Sequence, residues 1–201
     1  MGAGEPLALR LAQESLILFG RFMQADGSAW PVALRLGWLP SYPALLRDVA
    51  LALNPLVAAS GADRILTTAE EVPLGVALGL AADRVVLTPA ANPPEGAAFA
   101  IEGAYDIGHQ TVLLSDTLLD RAQADAIRAL AGRVGLEIHA VVAVIDLGLG
   151  ARAALQAAGF EAAALFTLRE MLPVLEQHAI LPPRMRASVE TWLDENAGTG
   201  L

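Results

Sequence analysis

The spacing of apolar positions divides the chain into short segments of two alternating kinds. Residues 6–19 repeat their apolar positions at helical spacing after Pro6, with Gly20 as a natural stop, so a first helix is expected there. Residues 21–38 hold short apolar stretches around Asp26-Gly27, a pair that favours a hairpin turn. A second helix is expected over 43–60. Beyond it the chain alternates, with a strand at 64–67, a helix at 73–82 and a strand rich in β-branched residues at 84–88. The segment 89–97 contains Pro89, Pro93, Pro94 and Gly96 and is expected to be a loop. Residues 98–102 and 111–114 are short strand candidates.

After Asp120 a helix places Ile127, Leu130, Ala131 and Val134 on one stripe, the period of a core-facing helix. Residues 138–145 are almost wholly apolar, as expected of a strand covered on both faces. A helix over 151–158, a strand over 162–166 and a helix over 168–177 complete the alternation. A last amphipathic helix over 182–196 carries Met185, Val189, Trp192 and Leu193 along one side. Alternation of this kind implies the α/β class: a mostly parallel central sheet with helices on both faces. With no repeat and no linker, a single domain over 1–201 is expected, with an N-terminal helix and hairpin at 1–40, a core at 41–176 and the C-terminal helix at 182–196. Such sheets bind ligands at the carboxyl ends of their strands. Here those ends are 67–71, 88–97, 115–121 and 146–150.

Composition narrows the chemistry. A chain of 201 residues can bury roughly 70% of the surface its unfolded form exposes. The 55% hydrophobic and 17% charged content fits a compact core. Formal charge is −9, and all 13 basic residues are Arg. That balance argues against binding nucleic acid or an anionic membrane. Without Lys, no step can use an ammonium group or a Schiff base. Without Cys, disulfides and thiolate catalysis are excluded. No basic stretch precedes a long apolar run at the N-terminus, and no apolar run approaches 18 residues, so a cytoplasmic location is expected.

Four stretches, in order, carry a resemblance. They are Leu18-Phe19-Gly20-Arg21-Phe22 with Asp26-Gly27; Val72-Pro73-Leu74; Ile101-Glu102-Gly103 with Gly108 and Val112-Leu113-Leu114-Ser115-Asp116; and Leu165-Phe166-Thr167-Leu168-Arg169-Glu170-Met171-Leu172. Together, over about residues 16 to 176, the chain resembles orotate phosphoribosyltransferases of the type I phosphoribosyltransferase family. The resemblance implies a core parallel sheet, a hood over the site and a homodimer. It also implies transfer of ribose 5-phosphate from phosphoribosyl diphosphate, with Mg²⁺, to a pyrimidine nitrogen.

The family's central motif is a strand, two adjacent acids and a Thr-Gly-Gly-Thr/Ser-like loop at a helix start. The acids hold ribose hydroxyls and the loop offers backbone N–H groups to the 5-phosphate. In this chain the acid positions read Ser115 and Asp116, and the loop reads Leu118-Leu119-Asp120-Arg121-Ala122-Gln123, with no glycine. Asp120 and Gln123 have the spacing of a capping box, which would put a carboxylate where the phosphate belongs. The family's Lys before Ile-Pro corresponds to Glu70, beside Glu71. The Lys ahead of Ser-Gly corresponds to Ala25, and the hood, 89–97, contains no base.

Asp116, Ser115, Thr117, Glu70 and Asp120 are therefore the candidate substrate-binding residues, and no residue is assigned as catalytic or metal-ligating. Asp146 resembles the family's acid after a later strand, but Leu147 follows it where a basic residue is usual. His109, His139 and His178 are scattered without ligand spacing, although Asp106 lies three residues before His109. No Gly-x-Ser-x-Gly occurs. The expected sheet mouth is acidic and closed by its own side chains. The expected function is a non-catalytic phosphoribosyltransferase-fold protein, a homodimer binding a small molecule or partner, with no cofactor and Mg²⁺ only if active. Two alternatives are kept: an active transferase on orotate or another base, with Arg21, Arg35 or Arg121 replacing lost contacts, and a structural subunit of a complex.

Overall fold

The computed structural model describes residues 4–24, 26–90 and 100–199. The first helix, α1 (Gly4–Gln13), stops well short of the 6–19 expected from its pattern. Ser15 takes the left-handed conformation at φ 58°, and the amides of Ser15 and Leu16 return to the carbonyls of Ala12 and Leu11. That closes the helix with a Schellman-type cap. The apolar run that follows is instead strand β1 (Ile17–Met23), antiparallel to β2 (Ala29–Leu34). An extra residue near Gly20 and Arg21 bulges β1 between Phe19 and Phe22. The turn sits where Asp26-Gly27 placed it: Gly27 has φ 85° and the Asp26 carboxylate accepts from the Ser28 amide at 2.8 Å.

A 3-10 segment (Leu36–Ser41) leads into α2 (Pro43–Ala59). Then come β3 (Arg64–Thr67), α3 (Val72–Ala82), β4 (Val85–Pro89), β5 (Ile101–Glu102), β6 (Gln110–Thr117) and α4 (Arg121–Gly132). The chain closes with β7 (Glu137–Asp146), α5 (Ala151–Ala157), β8 (Glu161–Thr167), α6 (Leu168–Gln177) and α7 (Pro183–Glu195). The six-stranded sheet runs β5-β4-β3-β6-β7-β8, parallel except for the short β5 at its edge. Most of the expected loop 89–97 lies outside the described residues. Pro89 belongs to β4, and Ala90 donates to the Ala100 carbonyl at 2.8 Å, so β4 and β5 form a hairpin.

Each sheet face has its own core. One gathers α1, α2, α3, α6 and α7 around Leu53, Ile65, Leu114 and Ile145; the other gathers α4 and α5 around Leu66, Leu113, Val141 and Phe160. Strand β7 alternates into both, which is why its sequence is apolar without a period. Val134 is not part of the α4 stripe. The helix ends at Gly132 and Val134 is exposed, because the return to β7 begins there. Val189 and Leu193 of α7 are buried, while Trp192 tilts against Trp30 of β2 with ring centroids 5.1 Å apart. Among the described residues no helix is long and apolar enough to cross a membrane.

The packing of α3 fixes the geometry of the sheet mouth. Its sequence is apolar on every side, and it meets the sheet through glycines. A Cβ on Gly75 would lie 2.2 Å from Thr67 Cγ2, and one on Gly79 would lie 2.3 Å from Val86 Cγ2. Only glycine permits this approach of helix to strand. It draws the start of α3, and the acids before it, onto the carboxyl end of β3.

Candidate functional site

Parallel pairing brings the carboxyl ends of β4, β3, β6, β7 and β8 to one edge of the sheet. A cavity of about 450 Å³ opens there between β2 and the β6–α4 connection. The expected mouth, closed by its own side chains, is thus wrong in one respect: the hairpin stands off the strand ends and leaves space. The polar lining of the cavity is Asp116, Thr117, Asp120, Gln24 and Gln123, against an apolar wall that includes Trp30 and Leu147. Among the described residues, no basic side chain lines it.

Three of the five candidates, Asp116, Thr117 and Asp120, share this cavity. Asp116 Oδ1 accepts from the Thr117 amide at 2.6 Å and from Thr117 Oγ1 at 3.2 Å, so the pair forms a fixed unit at the end of β6. Asp120 is the N-cap of α4, its Oδ1 accepting from the Gln123 amide at 2.9 Å. Only this half of the expected capping box forms; the full box occurs instead at α6, between Thr167 and Glu170. Even the half box matters, because it puts a carboxylate on the helix amides that would otherwise face an anion.

Ser115 is placed differently. It is 1% exposed, and its Oγ has no hydrogen-bond partner, as is also true of Thr67 Oγ1 at the end of β3. The first acid position of the motif is therefore turned into the sheet rather than towards the cavity. Glu70 lies on the other side of Asp116, in a pocket of about 10 Å³ that it shares with Glu71 beneath the 3-10 segment.

Glu71, whose place before Val72-Pro73 predicts only a charge favoured at a helix start, is the most perturbed acid at this edge. It is 8% exposed, and Oε2 is buried without a partner. Burial, with Asp116 and Glu70 as like charges nearby, pushes its carboxyl up to about 7. The run Glu70-Glu71 before Val72-Pro73 was a signal, but one that ordinarily means a helix start favouring negative charge. Gln24 and Trp30, contributed by the hairpin, were not foreseen as lining residues.

The remaining polar candidates serve structure. Asp146 is 4% exposed; it accepts from the Gly148 amide and pairs with Arg152 Nε, each at 2.8 Å. His109 Nδ1 accepts from the Asp106 amide at 2.7 Å, which ties their turn together. His139 bonds to the Ser60 carbonyl at 2.8 Å and His178 to the Val174 carbonyl at 3.0 Å. Arg121 pairs with Asp125, Arg35 stacks on Trp38 at 4.8 Å, and Arg21 lines a separate cavity of about 610 Å³ against α7. None of the three arginines lines the strand-end cavity.

No family model matches the chain. It is 28% identical over 177 residues to the bifunctional enzyme PyrF/PyrE of Nostoc sp., a match covering 85% of this chain and 36% of that enzyme. The UMP synthase of Leishmania donovani superposes with a TM-score of 0.87 at 25% identity, over 96% of this chain and 43% of that one. The chain thus spans less than half the length of these two relatives. An orotate phosphoribosyltransferase from Francisella tularensis shares the fold, with a TM-score of 0.73 at 16% identity over 92% of this chain and 96% of that one. The ordered sequence elements, the sheet order and these likenesses make the chain an orotate phosphoribosyltransferase-like protein with the type I phosphoribosyltransferase fold.

Proposed function

We propose that this chain has lost phosphoribosyl diphosphate-dependent transfer and serves as a small-molecule- or partner-binding protein on the phosphoribosyltransferase plan. The observation that carries the reading is the Asp120 carboxylate, which accepts from the Gln123 amide in the first turn of α4, in a cavity lined by no base among the described residues. An acid placed about 4 Å from a phosphate oxygen costs about 4 kcal/mol at an effective dielectric near 20. Each charge-assisted hydrogen bond is worth roughly 1.5 to 3 kcal/mol. Losing three or four of them removes on the order of 6 kcal/mol, or about four decades of affinity. A diphosphate leaving group also needs positive charge in the transition state, and this edge of the sheet carries the opposite sign. Titration calorimetry with phosphoribosyl diphosphate and Mg²⁺ is expected to give no saturable binding. Micromolar affinity would overturn the reading.

The family chemistry implies Mg²⁺. Among the described residues, no group of three or more His, Cys, Asp or Glu side chains is placed to hold a metal ion. A Mg²⁺ ion that arrives with a diphosphate needs only one or two protein carboxylates, and Asp116 is the acid of this strand end that would face it. The likeness to the bifunctional enzyme and to UMP synthase favours a second reading, an active transferase on orotate or another base. Diphosphate release above background with a panel of bases would support it.

Assembly as a homodimer, in the cytoplasm and without nucleic acid or membrane partners, belongs to the same proposal. The outward face of α3 supports pairing: Val76 is 47% exposed and Leu80 is 83% exposed on a helix that is apolar all round. Light scattering is expected to give a dimer for the parent chain and a monomer for Leu80→Glu. A dimer that survives this substitution places the interface elsewhere.

A further inference from the structure

We propose that the cavity between the β1–β2 hairpin and α7 binds a zwitterion with an aromatic or large apolar body, of the class of α-amino acids. The proposal does not rest on the reading above, because this cavity shares only Trp30 with the space at the strand ends. Its volume, about 610 Å³, is of the size that encloses small organic ligands. Two charges of opposite sign line it, Arg21 on β1 and Glu195 at the end of α7. Neither side chain has a hydrogen-bond or ion-pair partner among the described residues, so the two do not satisfy each other across the cavity.

The backbone supports each charge separately. The bulge in β1 falls at Gly20 and Arg21, opposite Pro31, and a bulge re-aims the side chain it carries. Glu195 closes a helix of 13 residues whose last turn holds no basic residue, so the partial negative charge of that end adds to the carboxylate in favouring a cation. The wall also holds the two half-buried indoles, Trp30 and Trp192, tilted by 50° with centroids 5.1 Å apart. They offer an aromatic surface to the body of a ligand. A simple anion here leaves Glu195 unanswered, and a simple cation leaves Arg21 so. A ligand carrying both groups answers both: its carboxylate takes the guanidinium in a bidentate pair, and its ammonium donates to Glu195.

The test is calorimetry on the full chain with L-phenylalanine, with 3-phenylpropionate, which lacks the ammonium, and with phenethylamine, which lacks the carboxylate. Phenylalanine is expected to bind saturably, one per chain, with each truncated compound weaker by about fivefold or more. Two of the chain's three tryptophans line the cavity, so the same titration is expected to change the intrinsic emission. Arg21→Gln is expected to bring phenylalanine down to the level of phenethylamine, with phenethylamine itself bound no more weakly. Glu195→Gln is expected to bring it down to the level of phenylpropionate, with that compound bound no more weakly. Both side chains are exposed, so the variants are expected to fold as the parent does. No saturable binding of phenylalanine, equal binding of either truncated compound, or indifference to either substitution would overturn the site.

Discussion

Replacing Glu71 by Gln is expected to stabilise the protein by about 3 kcal/mol at pH 8 and by almost nothing at pH 4. The parent carboxyl is raised from 4.5 to about 7 by burial, with Asp116 and Glu70 adding like charge. The folded chain therefore holds this proton more tightly than the unfolded chain does. The stability this proton confers is complete below about 4.5, drains away as pH rises, and is gone just above 7. Above that point the parent carries a buried, partly unpartnered carboxylate in a pocket with two other acids. The amide has no charge to desolvate and can donate to Asp116. For a chain of this length the gain at pH 8 corresponds to a rise in Tm of roughly 6–12 °C. Urea unfolding of both proteins at several pH values measures it. Parallel curves for parent and variant would mean that Glu71 does not titrate in this window.

The Asp146→Ala substitution should cost about 3 kcal/mol, the low end for breaking a buried ion pair. Asp146 is 4% exposed, and its two oxygens hold different things: one the Gly148 amide, the other the Arg152 guanidinium. Alanine leaves the Gly148 amide and Arg152 Nε without their acceptor, while Arg152 Nη1 keeps its bond to the Ala162 carbonyl. Arg152 is partly exposed and can turn to water, which keeps the cost from the upper end of the range. Gly148, at φ 80°, and Gly150, at φ 107°, sit in left-handed backbone that the Asp146 contact holds in place before α5. Asp146→Asn keeps an acceptor for Gly148 and loses only the charge, so it should fall between parent and alanine variant. If the acid served a ligand and not the loop, the alanine variant would melt with the parent.

Most of the sheet was legible because its strands are short, apolar and separated by helices of regular period. The residues of β3 and α6 fall where the pattern put them, and β7 is longer by one residue at either end. The first helix was overrun for a specific reason. Leu16 to Phe19 continues the apolar spacing of α1, and only a left-handed Ser15, which no sequence rule requires, separates helix from strand. Val134 was misplaced for a similar reason, since its spacing fits α4 but the helix ends two residues earlier.

The site was legible in its charge and not in its shape. Asp116, Thr117 and Asp120 could be placed at one strand end from the motif they occupy. That Gln24 and Trp30 would form the opposite wall depends on how the hairpin stands over the sheet. Nothing local encodes that distance. The perturbation of Glu71 was hidden for the same reason, since it arises from the 3-10 segment and from α3 lying close on β3.

The cap on α4 lets charge and helix stability vary separately. An asparagine or serine at position 120 would still accept from the Gln123 amide, so one substitution can strip the negative charge from this helix start without fraying it.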